Sequence, residues 1–361
     1  MSLSLVNIDK TVAREIHLKN INFSFESGSR NVLLGRTLSG KTSLLRIMAG
    51  IDRPTKGRVL LDGKDVTRLS VRKRSVAMVY QQFINYPSFT VYKNIASPLK
   101  IAGYKKSEID RCVRETAEML HIEDLLDRLP ADLSGGQQQR TAIARALVKD
   151  TDLLLLDEPL VNLDYKLREE LRVELQQVFK KRKAIVVYTT TEPSEALMMG
   201  GNITVIDEGR VLQTGPTPDV YRSPKTFKVA EIFSDPPINC INGKIRDNTA
   251  CLGHNIEFPI KDRLTALPDG NYKFGIRSHH FSLLQKDKND TEIRTRVKLS
   301  EISGSETFIH VTYDDLPLVV REAGITPLRI GDLISIYVNP DNLFIYDEQE
   351  NLVAAPQMVS N

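Results

Sequence analysis

From residue 1 to about 235, short apolar runs alternate with stretches of helical period, which predicts a parallel or mixed sheet covered by helices. Asn31–Leu34, Asp152–Leu156, Ala184–Val187 and Ile203–Ile206 are the clearest strands. The four leucines Leu153–Leu156 show no period-2 alternation, so their strand is expected at the centre of a parallel sheet, buried on both faces. Two acids, Asp157 and Glu158, stand at its end. Between about Gln82 and Val148 the pattern turns helical, with helices predicted over Glu108–Leu120, capped by Ser107, and over Gly136–Val148. This reads as a helical subdomain over about 82–150. The paired prolines of Phe233-Ser-Asp-Pro-Pro-Ile238 end regular structure, so one domain is expected over 1–235 and a second over 236–361. Beyond them, the runs Tyr272–Ile276, Thr307–Thr312 and Leu333–Val338, separated by Gly, Asp and Asn, predict a small β-barrel or sandwich.

Composition narrows the class. No apolar run approaches the roughly 20 residues a membrane-spanning helix needs. The N-terminal stretch Met1–Lys10 lacks the charged start, apolar centre and cleavage site of a secretory signal, so the chain is expected to stay in the cytoplasm. A net charge of +3, from 49 Lys+Arg against 46 Asp+Glu, is too balanced to be the footprint of a nucleic-acid binder. The basic clusters Arg72-Lys73-Arg74 and Lys180–Lys183 read as solvated faces or helix ends. Cys112, Cys240 and Cys251 are odd in number and have no CxxC spacing, as reduced cytosolic thiols would.

The chemistry concentrates in two motifs. Gly35-Arg36-Thr37-Leu38-Ser39-Gly40-Lys41-Thr42 fits the G-x-x-x-x-G-K-[ST] phosphate loop and lies between a predicted strand and the helix that Ser43 opens. Its backbone N–H groups and the helix N-terminus can hold phosphate oxygens, Lys41 can reach the β and γ phosphates, and the Thr42 hydroxyl can ligate magnesium. Downstream, Asp157 would bind that magnesium through water, and Glu158 is the candidate base that polarises an attacking water.

Leu133-Ser134-Gly135-Gly136-Gln137 resembles the LSGGQ signature of ABC ATPases, 23 residues before Asp157. Gln81 resembles the Q-loop glutamine, a metal and water contact, and Leu160–Asp164 resembles the D-loop, with Asp164 near the nucleotide. The resemblance implies ATP and Mg2+ as ligands, an α/β P-loop fold, and two chains that sandwich two nucleotides. Ser134 and the N–H groups of Gly135 and Gly136 would then face a γ-phosphate on the other subunit. In the tail, Gly275-Ile-Arg277, Glu301–Thr307, Gly331-Asp332 and Pro340–Asp347 resemble the OB-fold-type regulatory extension of ATPases from maltose and glycerol-phosphate importers. That implies import of a carbohydrate, polyol or glycerol-type solute, transmembrane permease partners, an external solute-binding protein acting indirectly, and a place on the cytoplasmic side of the bacterial inner membrane. A permease helix would dock near Gln82–Tyr92, where Phe83, Tyr86 and Phe89 are either exposed for that purpose or part of the core. The adjacent His279 and His280 lack a third ligand at plausible metal spacing.

Three departures from the family pattern fall on the nucleotide site. Val12 stands where the family places an adenine-stacking aromatic. Leu38 stands where glycine is usual, at a cost of roughly 1–2 kcal/mol if the backbone is left-handed. Thr191 stands where the family has its switch histidine, among the catalytic positions. These changes damage the site built on this chain's own phosphate loop and spare Ser134–Gln137, so the expected working dimer is a heterodimer with a second, more complete ABC ATPase. The alternative is a nucleotide-gated subunit that only completes a partner's site. A DNA-repair or translation ATPase would carry a long coiled-coil insertion or tandem ATPase domains, and this chain has neither.

Overall fold

The computed structural model describes residues 1–161 and 163–356 and divides into two compact units at Thr217/Pro218. In the first unit, β1 (Ser2–Val12) and β2 (Glu15–Glu26) form a hairpin, and β3 (Arg30–Leu34) leads into α1 (Lys41–Ala49). Next come β4 (Lys56–Leu61), β5 (Lys64–Asp65) and β6 (Val76–Val79), then the helical segment of α2 (Val91–Ile101), α3 (Lys106–Met119) and α4 (Gly135–Leu147). The unit continues through β7 (Leu153–Asp157), α5 (Tyr165–Lys181), β8 (Ile185–Thr190), α6 (Pro193–Met199), β9 (Asn202–Asp207) and β10 (Arg210–Pro216).

Two sheets result. One is antiparallel in the order β2-β1-β4-β5, and the other runs β10-β9-β3-β8-β7-β6 with parallel pairing throughout except at β9–β10. Every residue of β7 and β8 is buried, as a run of leucines and β-branched residues without alternation requires. Leu33, Leu45, Met48, Leu155 and Val187 join the sheet and α1 in one core. The helix expected from Ser107 begins earlier, at Lys106, because the Glu108 carboxylate reaches back to accept from the Lys105 N–H at 3.1 Å.

The second unit starts ahead of the expected 235/236 boundary and takes in α7 (Thr217–Arg222, apart from its first residue) and α8 (Phe227–Ile232). Ala230 of α8 packs with Ile238, Phe344 and Tyr346, so the helix shares this unit's core. Its strands are β11 (Asn239–Arg246), β12 (Thr249–Leu252), β13 (Ile256–Pro259), β14 (Gly270–Ile276), β15 (Phe281–Ser282), β16 (Thr291–Ser303), β17 (Glu306–Tyr313), β18 (Leu316–Ala323), β19 (Leu333–Val338), β20 (Phe344–Tyr346) and β21 (Leu352–Ala354). They form antiparallel sheets in the orders β13-β12-β11-β14-β20-β21 and β15-β19-β16-β17-β18, a nearly closed barrel. Alternate residues of β17 are buried, the mark of a sheet with one face on the core. His280 donates from Nδ1 to the Asn342 carbonyl at 3.1 Å and stacks parallel to Phe344.

Candidate functional site

The phosphate loop closes the C-terminal end of β3. Its first residue is tied to the neighbouring strand, Gly35 N–H donating to the Thr190 carbonyl at 3.3 Å. Gly40 has φ 102°, and a Cβ there would lie 2.6 Å from the His17 carbonyl oxygen, so conformation and space both demand glycine. Leu38 does adopt the left-handed region, at φ 66°, and its side chain is 97% exposed. Arg36 and Thr37 are exposed beside it, while the Ser39 hydroxyl is buried with no partner among the described residues. Lys41 folds back across the loop. Its ammonium donates to the carbonyls of Gly35 and Arg36, each at 2.9 Å, and lies 3.2 Å from a Glu158 carboxylate oxygen. Burial lowers its pKa, opposed by the negative charges of Glu158 and Asp157.

The acid pair sits at the end of β7, two strands from β3. Asp157 Oδ1 accepts from the Thr42 hydroxyl at 3.1 Å and from the Thr189 hydroxyl at 3.0 Å, and burial raises its pKa. Glu158 has a left-handed backbone, φ 44°, a costly conformation held by the Glu158 N–H donating to Thr189 Oγ1 at 2.9 Å. Gln81 Nε2 donates to the other Glu158 oxygen at 3.1 Å. Lys41, Thr42, Gln81, Asp157 and Glu158 therefore meet in one cluster.

Thr189 was not singled out in the sequence. Its hydroxyl joins Asp157 to the Glu158 backbone because β7 and β8 pair in a register that sets Asp157 beside Thr189. His17 escaped notice too; its Nδ1 is 3.2 Å from the Ser43 hydroxyl in the first turn of α1. Neither belongs to a local motif, and only strand pairing and hairpin packing reveal them.

The remaining candidates lie apart from this cluster: no hydrogen bond or ion pair described for Val12, Ser134–Gln137, Asp164 or Thr191 reaches it. Ser134 caps α4 in a reciprocal box, the Gln137 N–H donating to Ser134 Oγ at 3.4 Å and the Ser134 N–H to Gln137 Oε1 at 3.0 Å. Gly136 is pressed against Leu167, whose Cδ2 would stand 2.0 Å from a Cβ, whereas Gly135 faces open space. Asp164 caps α5 by accepting from the Leu167 N–H at 2.9 Å, and Asn162 of the same stretch lies outside the described residues. Val12 ends β1 with its side chain 43% exposed. Thr191 follows β8 at a bend. Beneath that bend, the buried Glu195 carboxylate accepts from the hydroxyls of Tyr188, at 2.6 Å, and Thr190. Of the three aromatics, Tyr86 and Phe89 are exposed with their rings 5.3 Å apart, and Phe83 is half-buried.

A lysine folded over a glycine-bent loop at one strand end, facing an acid pair two strands away, defines a P-loop nucleoside triphosphatase. Residues 18–161 match the model of the ABC transporter family. The chain is 33% identical to the sn-glycerol-3-phosphate import ATP-binding protein UgpC of Psychromonas ingrahamii, over 96% of this chain and 94% of that one. It is 32% identical to the maltose/maltodextrin import ATP-binding protein MalK of Yersinia pestis, over 96% of each. Among solved structures, the ATP-binding cassette MJ0796, in a dimeric post-hydrolysis state bound to ADP and Pi, superposes with a TM-score of 0.54 at 30% identity, covering 60% of this chain and 98% of that one. The chain belongs to the family of ATP-binding subunits of ABC importers and is an ABC-type ATPase.

Proposed function

We propose that the first unit binds MgATP at the Gly35–Ser43 loop, hydrolyses it with Glu158 as the base, and thereby powers uptake of a carbohydrate, polyol or glycerol-type solute. The observation that carries this reading is the Lys41–Glu158–Gln81 contact beside the Thr42–Asp157 pair. A γ-phosphate arriving at the loop offers Lys41 a stronger anion than the carboxylate and frees Glu158 to polarise a water that Gln81 helps to place. Thr42 and Asp157 present two hard oxygens 3.1 Å apart, a donor set suited to magnesium, which Gln81 would complete. When bound, the ion would neutralise phosphate charge. Lys41→Ala and Glu158→Gln should abolish or strongly lower ATP-driven uptake in the assembled transporter, and unchanged uptake by both variants would refute the assignment.

The exposed N-terminus of α4, with Ser134 and Gly135 open to solvent, suits the γ-phosphate of a nucleotide on a second subunit, so the working form is a dimer. A heterodimer with a second ABC ATPase is favoured by Thr191, which offers no imidazole to this chain's own site. It predicts that Ser134→Ala harms the ATPase of the complex more than Thr191→His improves it. Full transport by a purified homodimer with the permease alone would exclude it. The reading that this chain only completes a partner's site is less well supported, since Lys41, Thr42, Asp157 and Glu158 already stand together.

No helix among the described residues is long and apolar enough to cross a membrane. The exposed pair Tyr86 and Phe89, with Arg145 5.0 Å over the Tyr86 ring, suits a docked permease helix and would hold the subunit on the cytoplasmic face of the membrane. The external solute-binding protein acts through that permease. The β-rich second unit carries no phosphate-binding motif and is assigned a regulatory role.

A further inference from the structure

We propose that His17 is the nucleoside contact of this site, supplying against the base or ribose the aromatic surface that Val12 lacks; this rests on the phosphate-loop reading above. The sheet order gives the direction. The acids that must face the γ-phosphate come from β7, beyond β8 on one side of β3, whereas β9 flanks β3 on the other side. His17 stands on that other side. Its strand is tied to the β9–β10 turn, the Lys19 N–H donating to the Gly209 carbonyl at 2.8 Å. A triphosphate laid across the N-terminus of α1 with its γ end at Glu158 therefore leads its nucleoside end toward β2.

The position of His17 is fixed on both flanks. Its carbonyl oxygen presses on two glycines, and a Cβ would approach it to 2.6 Å at Gly40 and 2.5 Å at Gly209. Its Nδ1 lies 3.2 Å from Ser43 Oγ, which holds the half-buried ring alongside the first turn of α1. Val12 is on the same hairpin, closed by Ala13 and Arg14 at φ 47° and 74°, where it pairs with Glu15, two residues before His17. Stacking on a base is worth about 1–3 kcal/mol, a factor in affinity of roughly 5 to 160.

The test uses the full chain and two probes, ATP and inorganic tripolyphosphate, which has the phosphates without base or ribose. Equilibrium binding is measured for His17→Leu, which keeps the volume without the ring's π face, for His17→Phe, which keeps a ring without the Ser43 hydrogen bond, and for Lys41→Ala. The expected result is that His17→Leu binds ATP about tenfold more weakly with tripolyphosphate within twofold, and His17→Phe holds ATP near the parent value. Equal weakening of both probes by His17→Leu would mean that His17 acts through Ser43 on the loop and overturns the proposal. Unchanged ATP binding in His17→Leu while Lys41→Ala loses both probes would overturn it and leave the phosphate-loop reading intact. Unchanged binding in Lys41→Ala would sink that reading and this proposal together.

Discussion

Lys41 and Glu158 form a 3.2 Å ion pair across the phosphate loop, so the proposed base and the proposed phosphate ligand are each other's partners. Glu158→Gln should lower hydrolysis by about 10²–10⁴-fold while ATP affinity stays level or rises, because Lys41 loses its competing carboxylate. Turnover in the assembled complex and equilibrium binding together check this. A loss of affinity as deep as that of Lys41→Ala would contradict it.

Thr189 is expected to matter although no motif contains it. Thr189→Val removes the donor to Asp157 and the acceptor for the Glu158 N–H, leaving two polar groups short of partners at a cost of about 1–3 kcal/mol. Chemical denaturation should show that loss, and ATPase activity should fall about tenfold, the factor that about 1.4 kcal/mol of lost transition-state stabilisation carries. Thr189→Ser keeps the hydroxyl and should recover most of both.

Legibility in the sequence followed how local each signal was. Lys41, Thr42 and Asp157 could be read because a phosphate loop and a strand-end acid are contiguous strings, and the buried strands because leucine runs admit few other placements. Thr189 could not, since its partner Asp157 is 32 residues away and only the β7–β8 register joins them. His17 was hidden by the same kind of distance, across the β2–α1 packing. The start of α3 was misplaced because a serine resembles a cap, whereas the Glu108 carboxylate captures the Lys105 N–H. The exposure of Tyr86 and Phe89 against the half-burial of Phe83 depends on how the segment before α2 turns, which composition does not encode.

Leu38→Gly should raise stability by about 0.5–1 kcal/mol, the left-handed penalty less the extra freedom of an unfolded glycine. Its side chain is 97% exposed and no packing is lost. Thermal unfolding without ligand measures this. A destabilised glycine variant would show that Leu38 makes a contact in solution.

Acid should weaken the second unit selectively. Burial, then the nearby His279 and Arg277 charges, push the His280 pKa down to about 4 from the ordinary histidine value of 6.5. A histidine with a depressed folded pKa is protonated more readily in the unfolded chain, so its contribution is full above about 6.5 and is lost as pH falls toward 4, at most about 3 kcal/mol. His280→Phe, which keeps a ring against Phe344, should flatten the stability slope between pH 6.5 and 4. Hydrogen exchange at β14 and β20 would report it, and equal slopes in the parent and variant would rule it out.

Along β8 the side chains take turns: Tyr188 and Thr190 both reach the buried Glu195, while Thr189 between them reaches Asp157. Strand length is therefore a catalytic parameter in its own right. Adding or deleting a single residue in β8 would exchange the two sets of partners, turning a hydroxyl away from the acids and a phenol or its neighbour toward them. A two-residue change would restore the facing but shift the ladder against β3, where Leu34 pairs with Thr190 and the loop begins. Length variation can be absorbed in the turns that precede β8, but within the strand the distance from phosphate loop to acid pair is counted in whole residues.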